Sequence, residues 1–212
     1  MIEGIDPREA SWVAEKLFHS AIADGHLTSD DLKDPHRAIK KLQTLVKVGD
    51  FELTFVIDHR GSLLDLALEY MKATKYELSV LFFATFFEHS INHVIDASLK
   101  RKNFGNDVAK GLIRACAIRD KFGWVLELLS LPSFNAAHRK TIERVAEERN
   151  QFAHYKWTGF KEPKAADLSL LASAKKAATY ARTYESRLIY NGNKTRINKL
   201  FPAKSPKSRK PV

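Results

Sequence analysis

Eight histidines are spread along the chain, and one of them, His154, follows an arginine at a spacing that could do chemistry. It lies in the run Glu147-Glu148-Arg149-Asn150-Gln151-Phe152-Ala153-His154-Tyr155. Histidine titrates near neutrality and can move protons, whereas arginine stays charged and can hold a phosphate through two parallel hydrogen bonds. These residue types suit the cleavage of RNA, which carries its own nucleophile in the ribose 2'-OH. A base removes that proton, an acid protonates the leaving 5'-oxygen, and the guanidinium favours the charge that gathers on a phosphorane-like transition state. No metal is required, and the products are a 2',3'-cyclic phosphate and a 5'-OH. Asn150 can orient either group. Five residues of α-helix rotate a side chain by about 140°, so Arg149 and His154 do not share a face unless the helix end relaxes or the arginine curls back.

Other routes to chemistry are thinner. His89 and His93 sit four apart, which places two imidazoles on one helix face, but the zinc-protease arrangement of Glu is absent and no third ligand lies nearby in sequence. A polar flank is the favoured reading, and no metal or other cofactor is expected. The single Cys116 has apolar neighbours and reads as an inert core thiol, in keeping with a reducing cytoplasm. The sequence holds no phosphate-binding P-loop, G-x-G-x-x-G run or G-x-S-x-G elbow, which argues against P-loop nucleotide hydrolases and α/β-hydrolases. Glu88 interrupts the most apolar stretch, where an unpaired carboxylate is costly, so a partner is expected. Arg149 is one candidate: a carboxylate behind it would fix its rotamer and leave its outer nitrogens for phosphate. A plain ion pair or an exposed helix end is the alternative.

The elements that must position these residues read as helical. Gly and Pro, at 9 and 7 of 212, are scarce, which tilts the class towards all-α. Asp6-Pro7 and Asp34-Pro35 are helix starts, predicting helices over about 7–24 and 35–48, the first with a stripe of Trp12, Leu17, Phe18, Ala21 and Ile22. Ile39, Leu42, Leu45 and Val46 form the second stripe, and Gly49 the stop. Phe51 to Ile57 alternates partly, but no convincing partner strand lies nearby. Ser62 to Lys102 predicts two helices broken near Ala73 to Tyr76, the second apolar on nearly every face from Val80 to Phe87 and hence central. Asp107 to Leu131 is helical with an interruption at Gly123. Ser133 or Asn135 caps a helix over about 136–157, and a last long helix over 164–190 ends at Asn191-Gly192-Asn193.

Arg149-Asn150-x-x-x-His154, on a helix that follows the Glu88-bearing apolar helix by about two helices, resembles the Arg-x4-6-His motif of the HEPN superfamily (higher eukaryotes and prokaryotes nucleotide-binding). By chance, 13 arginines and eight histidines would give about half of one pair at the single spacing Arg-x4-His, and no other arginine here stands five to seven residues before a histidine. The resemblance covers about residues 62–190. It implies an antiparallel HEPN-like helical bundle over 61–190, with 1–60 an N-terminal helical extension. It also implies a metal-independent endoribonuclease, a toxin or defence effector, with Arg149 and His154 catalytic and Asn150, Glu88 and Tyr155 in support. HEPN ribonucleases are generally arranged as homodimers with two motifs facing one cleft, so a homodimer follows, as does a neutralising or activating protein partner. The pattern His-x-Tyr of one toxin subgroup is not matched: Tyr155 directly follows His154, and Lys156 fills the expected place.

The net charge of +10 is concentrated at one end. After Glu185 come eight Lys or Arg and no acid, so residues 191–212 read as a basic, disordered tail. Lys199, Lys204, Lys207, Arg209 and Lys210 are its candidate RNA-binding residues. No basic-then-apolar leader opens the chain, and the most apolar window, Leu78 to Phe87, is too short to span a bilayer, so a cytoplasmic protein without a membrane partner is expected. The competing readings are a non-catalytic HEPN-like module that binds nucleotide, RNA or protein, a nucleic-acid-binding protein working through its tail, and a solvated helix end with Arg149 paired to Glu148 or Glu185 and His154 capping carbonyls.

Overall fold

The computed structural model describes residues 7–28, 30–48, 59–154, 165–192 and 197, with backbone alone at 7–12, 35, 153, 154, 165 and 166. Every regular element among them is helical, so the fold class is all-α. By contact the chain divides into two compact units, one of residues 1–56 with 189–212 and one of residues 57–188. The strand-like run at 51–57, the stop at Gly49, the cap at Asp6 and the basic tail's candidate residues lie outside the described residues.

In the first unit, α1 (Pro7–Ala23) buries Phe18, Ala21 and Ile22, and α2 (Pro35–Val48) begins where proline supplies a pre-set φ. Asp34 Oδ1 accepts the backbone N–H of His36 at 2.9 Å, which caps α2. Between the helices a single 3-10 turn at Asp31–Lys33 is built around a buried Asp31. Its carboxylate accepts the Thr28 N–H at 2.8 Å, the Thr28 hydroxyl at 2.9 Å and Lys41 Nζ at 2.7 Å. Arg37 lies 3.6 Å from the same carboxylate. Pairing with Arg37 and Lys41 turns α2 so that Ala38 and Leu42 are buried. Ile39 and Val46, expected on the apolar stripe, are instead 38% and 46% exposed.

The second unit is arranged around α4 (Tyr76–Arg101), which packs on α3 (Arg60–Lys72), α5 (Asn106–Ala115), α6 (Ile118–Lys121) and α8 (Ala136–His154). The turn into α4 passes through Thr74 at φ 56°, and Ser79 Oγ donates to the Ala67 carbonyl at 2.8 Å, tying α3 to α4. Val80, Phe83, Ala84, Phe86, Phe87, Ile91, Val94 and Ile95 are buried, as a central helix requires. By length and composition α4 could cross a membrane, but 56% of its most apolar window is covered by the rest of the protein. The expected helix over 107–131 is three: α5 and α6 separated at Cys116 and Ala117, then α7 (Trp124–Leu128) after Phe122 and Gly123. Phe122 meets Phe134 at 4.7 Å between ring centroids, and Phe134 meets Tyr184 of α9 (Ala165–Tyr190) at 5.1 Å. Asn135, not Ser133, caps α8, its Oδ1 accepting the His138 N–H at 3.1 Å.

Candidate functional site

α8 turns Ile142, Val145 and Ala146 into the core, and Arg149 occupies the next step of that stripe. On α4, Glu88 likewise falls within the stripe of Ala84, Phe87 and Ile91. The two charged residues therefore interrupt facing apolar surfaces, and they meet: Arg149 Nη2 lies 3.6 Å from Glu88 Oε2. The second Glu88 oxygen faces α6, where Lys121 Nζ donates to Oε1 at 3.4 Å. Side-chain exposures order the three by depth, with Lys121 at 2%, Arg149 at 27% and Glu88 at 34%.

This cluster carries two cations and one carboxylate in a partly buried setting, where charges are screened less than at an open surface. Its distances exceed the 2.7–2.9 Å of strong charge-assisted hydrogen bonds. Among the described residues Arg149 makes no hydrogen bond, and its Nε–H is buried without a partner. Such a guanidinium retains donors for an anion.

The remaining expected site residues fare differently. Asn150 is exposed. His154 is the last residue of α8, and only its backbone is described. Its position lies about 140° around and about 7.5 Å along the helix from position 149. Tyr155 is outside the described residues, as are Lys199, Lys204, Lys207, Arg209 and Lys210.

Glu185 is not a partner of Arg149. It is buried at the far end of α9, 2.8 Å from Arg60 Nη1 and 3.3 Å from His93 Nδ1. Arg60 Nη1 and His93 Nδ1 are 2.7 Å apart. A guanidinium at that distance opposes a metal ion at the same nitrogen. His89 is exposed, and no group of three or more His, Cys, Asp or Glu stands ready to hold a metal among the described residues. This second cluster was not anticipated in the sequence, since its members come from α3, α4 and α9. The one local signal was Glu185 beside the buried Tyr184 and Ala181 in the inward stripe of α9.

Comparison of the chain with protein-family models, with curated proteins and with solved structures finds no match.

Proposed function

We propose that the chain is a metal-independent endoribonuclease of HEPN type in which Arg149 and His154, from two copies of α8 in a homodimer, share one cleft. The observation that carries this reading is Arg149 itself. It stands within the Arg-Asn-x-x-x-His spacing, lies 3.6 Å from Glu88 and makes no hydrogen bond among the described residues. In the proposed step the 2'-oxygen forms a bond to phosphorus as its proton passes to a base, and the bond to the 5'-oxygen breaks as that oxygen gains a proton. Histidine supplies the proton transfer, and arginine stabilises the charge on the non-bridging oxygens. A toxin or defence role would require restraint by a protein partner.

The test is to incubate the wild type and His154→Ala with mixed RNA in EDTA. Cleavage that survives the chelator, yields 2',3'-cyclic phosphate ends and disappears in the variant is the expected result. Products with 3'-OH and 5'-phosphate ends, or strict dependence on a divalent metal, overturn the mechanism. A second reading, a non-catalytic helical module that binds RNA, nucleotide or protein, is favoured by Lys121: an ammonium buried under Glu88 is also what a structural ion cluster would contain. Absence of cleavage by either protein places that reading first.

A further inference from the structure

We propose that Lys121, Glu88 and Arg149 together form a phosphate-binding site in which Glu88, shared between the two cations, gives up its contact with Arg149 and stays on Lys121 when a phosphodiester occupies Arg149. The inference rests on the reading of Arg149 as the phosphate contact, and it adds what makes that contact available. A guanidinium already matched to a carboxylate is a poor anion site, because the incoming phosphate must displace a like charge that then needs somewhere to go. Here it has somewhere: Lys121 Nζ already donates to Glu88 Oε1 at 3.4 Å and can keep the carboxylate when Arg149 turns to the phosphate. Glu88 is closely held by neither cation, since its contact with Arg149 is 3.6 Å. The cluster keeps one positive charge in excess, and among the described residues the Arg149 Nε–H has no partner to lose.

Depth assigns the roles. Arg149 and Glu88 are 27% and 34% exposed, so an anion from solvent can reach them. Lys121, at 2%, cannot touch that anion. It is a positioning residue, acting through the carboxylate. The ligand that fits is one phosphate group of an RNA backbone, which meets a single guanidinium bidentately.

The exchange makes two substitutions act with opposite signs. Lys121→Met keeps length and apolar packing but leaves Glu88 with Arg149 as its one cation among the described residues, so phosphate binding weakens. Glu88→Gln removes the competing carboxylate, so binding tightens. Each effect is on the order of tenfold, the scale of one charge removed from a partly buried ion cluster. The measurement is NMR titration of the full chain at low salt with dimethyl phosphate and with inorganic phosphate, neither of which can be cleaved as RNA. Arg149→Ala should abolish the response, and Lys121→Arg should bind like the wild type. Where Glu88→Gln fails to fold because Lys121 is stranded, the comparison is made in the Lys121→Met background, in which Glu88→Gln must still tighten binding.

Unchanged binding in Lys121→Met, or weakened binding in Glu88→Gln in both backgrounds, overturns the exchange. Binding of inorganic phosphate without dimethyl phosphate overturns the diester assignment. The ribonuclease reading fails separately, on the EDTA assay: a protein that binds both probes with the predicted signs yet cleaves no RNA retains this site and loses that activity.

Discussion

At the scale of single residues, Asp31 is a buried acid held by several donors. Burial alone would raise its pKa, but hydrogen bonds from Lys41 and from the N–H and hydroxyl of Thr28 outweigh that and lower it to about 2. A carboxyl whose folded pKa lies below its unfolded value adds stability above the unfolded value, and that stability is lost as pH falls through the folded one. With an ordinary value of 3.8, Asp31 contributes at most about 2 kcal/mol at neutral pH, lost between about pH 4 and pH 2. Asp31→Asn should therefore lower stability at pH 7 by about that amount and flatten the acid limb, as followed by urea denaturation across pH. An unchanged limb would show that other carboxyls set it. Residues differ in how far their environments can be read in advance. Glu88 betrayed itself by interrupting an apolar run, and Arg149 was a named candidate partner. Lys121 gave no such sign, because Arg119-Asp120-Lys121 has the composition of a solvated turn, and its burial depends on a chain break that no nearby residue announces.

Helix beginnings were more legible than helix interruptions. Asp34-Pro35 and Asn135 act through local chemistry, a side-chain oxygen accepting an N–H two or three residues on, so the sequence around them is sufficient. The break between α5 and α6 is of another kind. Cys116 and Ala117 adopt extended conformations at ψ 132° and 160° without Gly or Pro, and what they achieve is tertiary: they turn α6 so that Lys121 and Phe122 are buried. Only packing explains them. The α8 cap matters to function because α8 carries both halves of the proposed motif. Asn135→Ala should lower thermal stability by about 1 kcal/mol, the usual worth of such a cap. RNA cleavage measured well below the melting temperature should be nearly unchanged, because Arg149 lies more than three turns away. A large loss of activity in a folded Asn135→Ala protein would mean that the N-terminal end of α8 contributes to the site.

For the whole molecule, assembly and charge are the properties to test. In a composite site, Arg149→Ala and His154→Ala subunits, each inactive alone, should regain activity when mixed, since the shared cleft of a heterodimer still holds one Arg149 and one His154. Full-rate cleavage by a species that sediments as a monomer would contradict shared motifs. Removal of residues 199–212 takes away Lys199, Lys204, Lys207, Arg209 and Lys210. That truncation should weaken RNA affinity and reduce its salt dependence while sparing turnover at saturation, because no proposed catalytic residue is lost. The division of the chain into units has a consequence for biosynthesis. The first unit joins residues 1–56 to 189–212, and within it the rings of His19 and Tyr190 lie 5.3 Å apart. Those two residues are separated by roughly 170 positions, which a ribosome needs about 10–35 s to translate. Until Tyr190 is made, α1 can pack only on the other early elements of its unit, and its contact through His19 closes late. The first unit thus cannot be completed until the segment from 189 onward has been made.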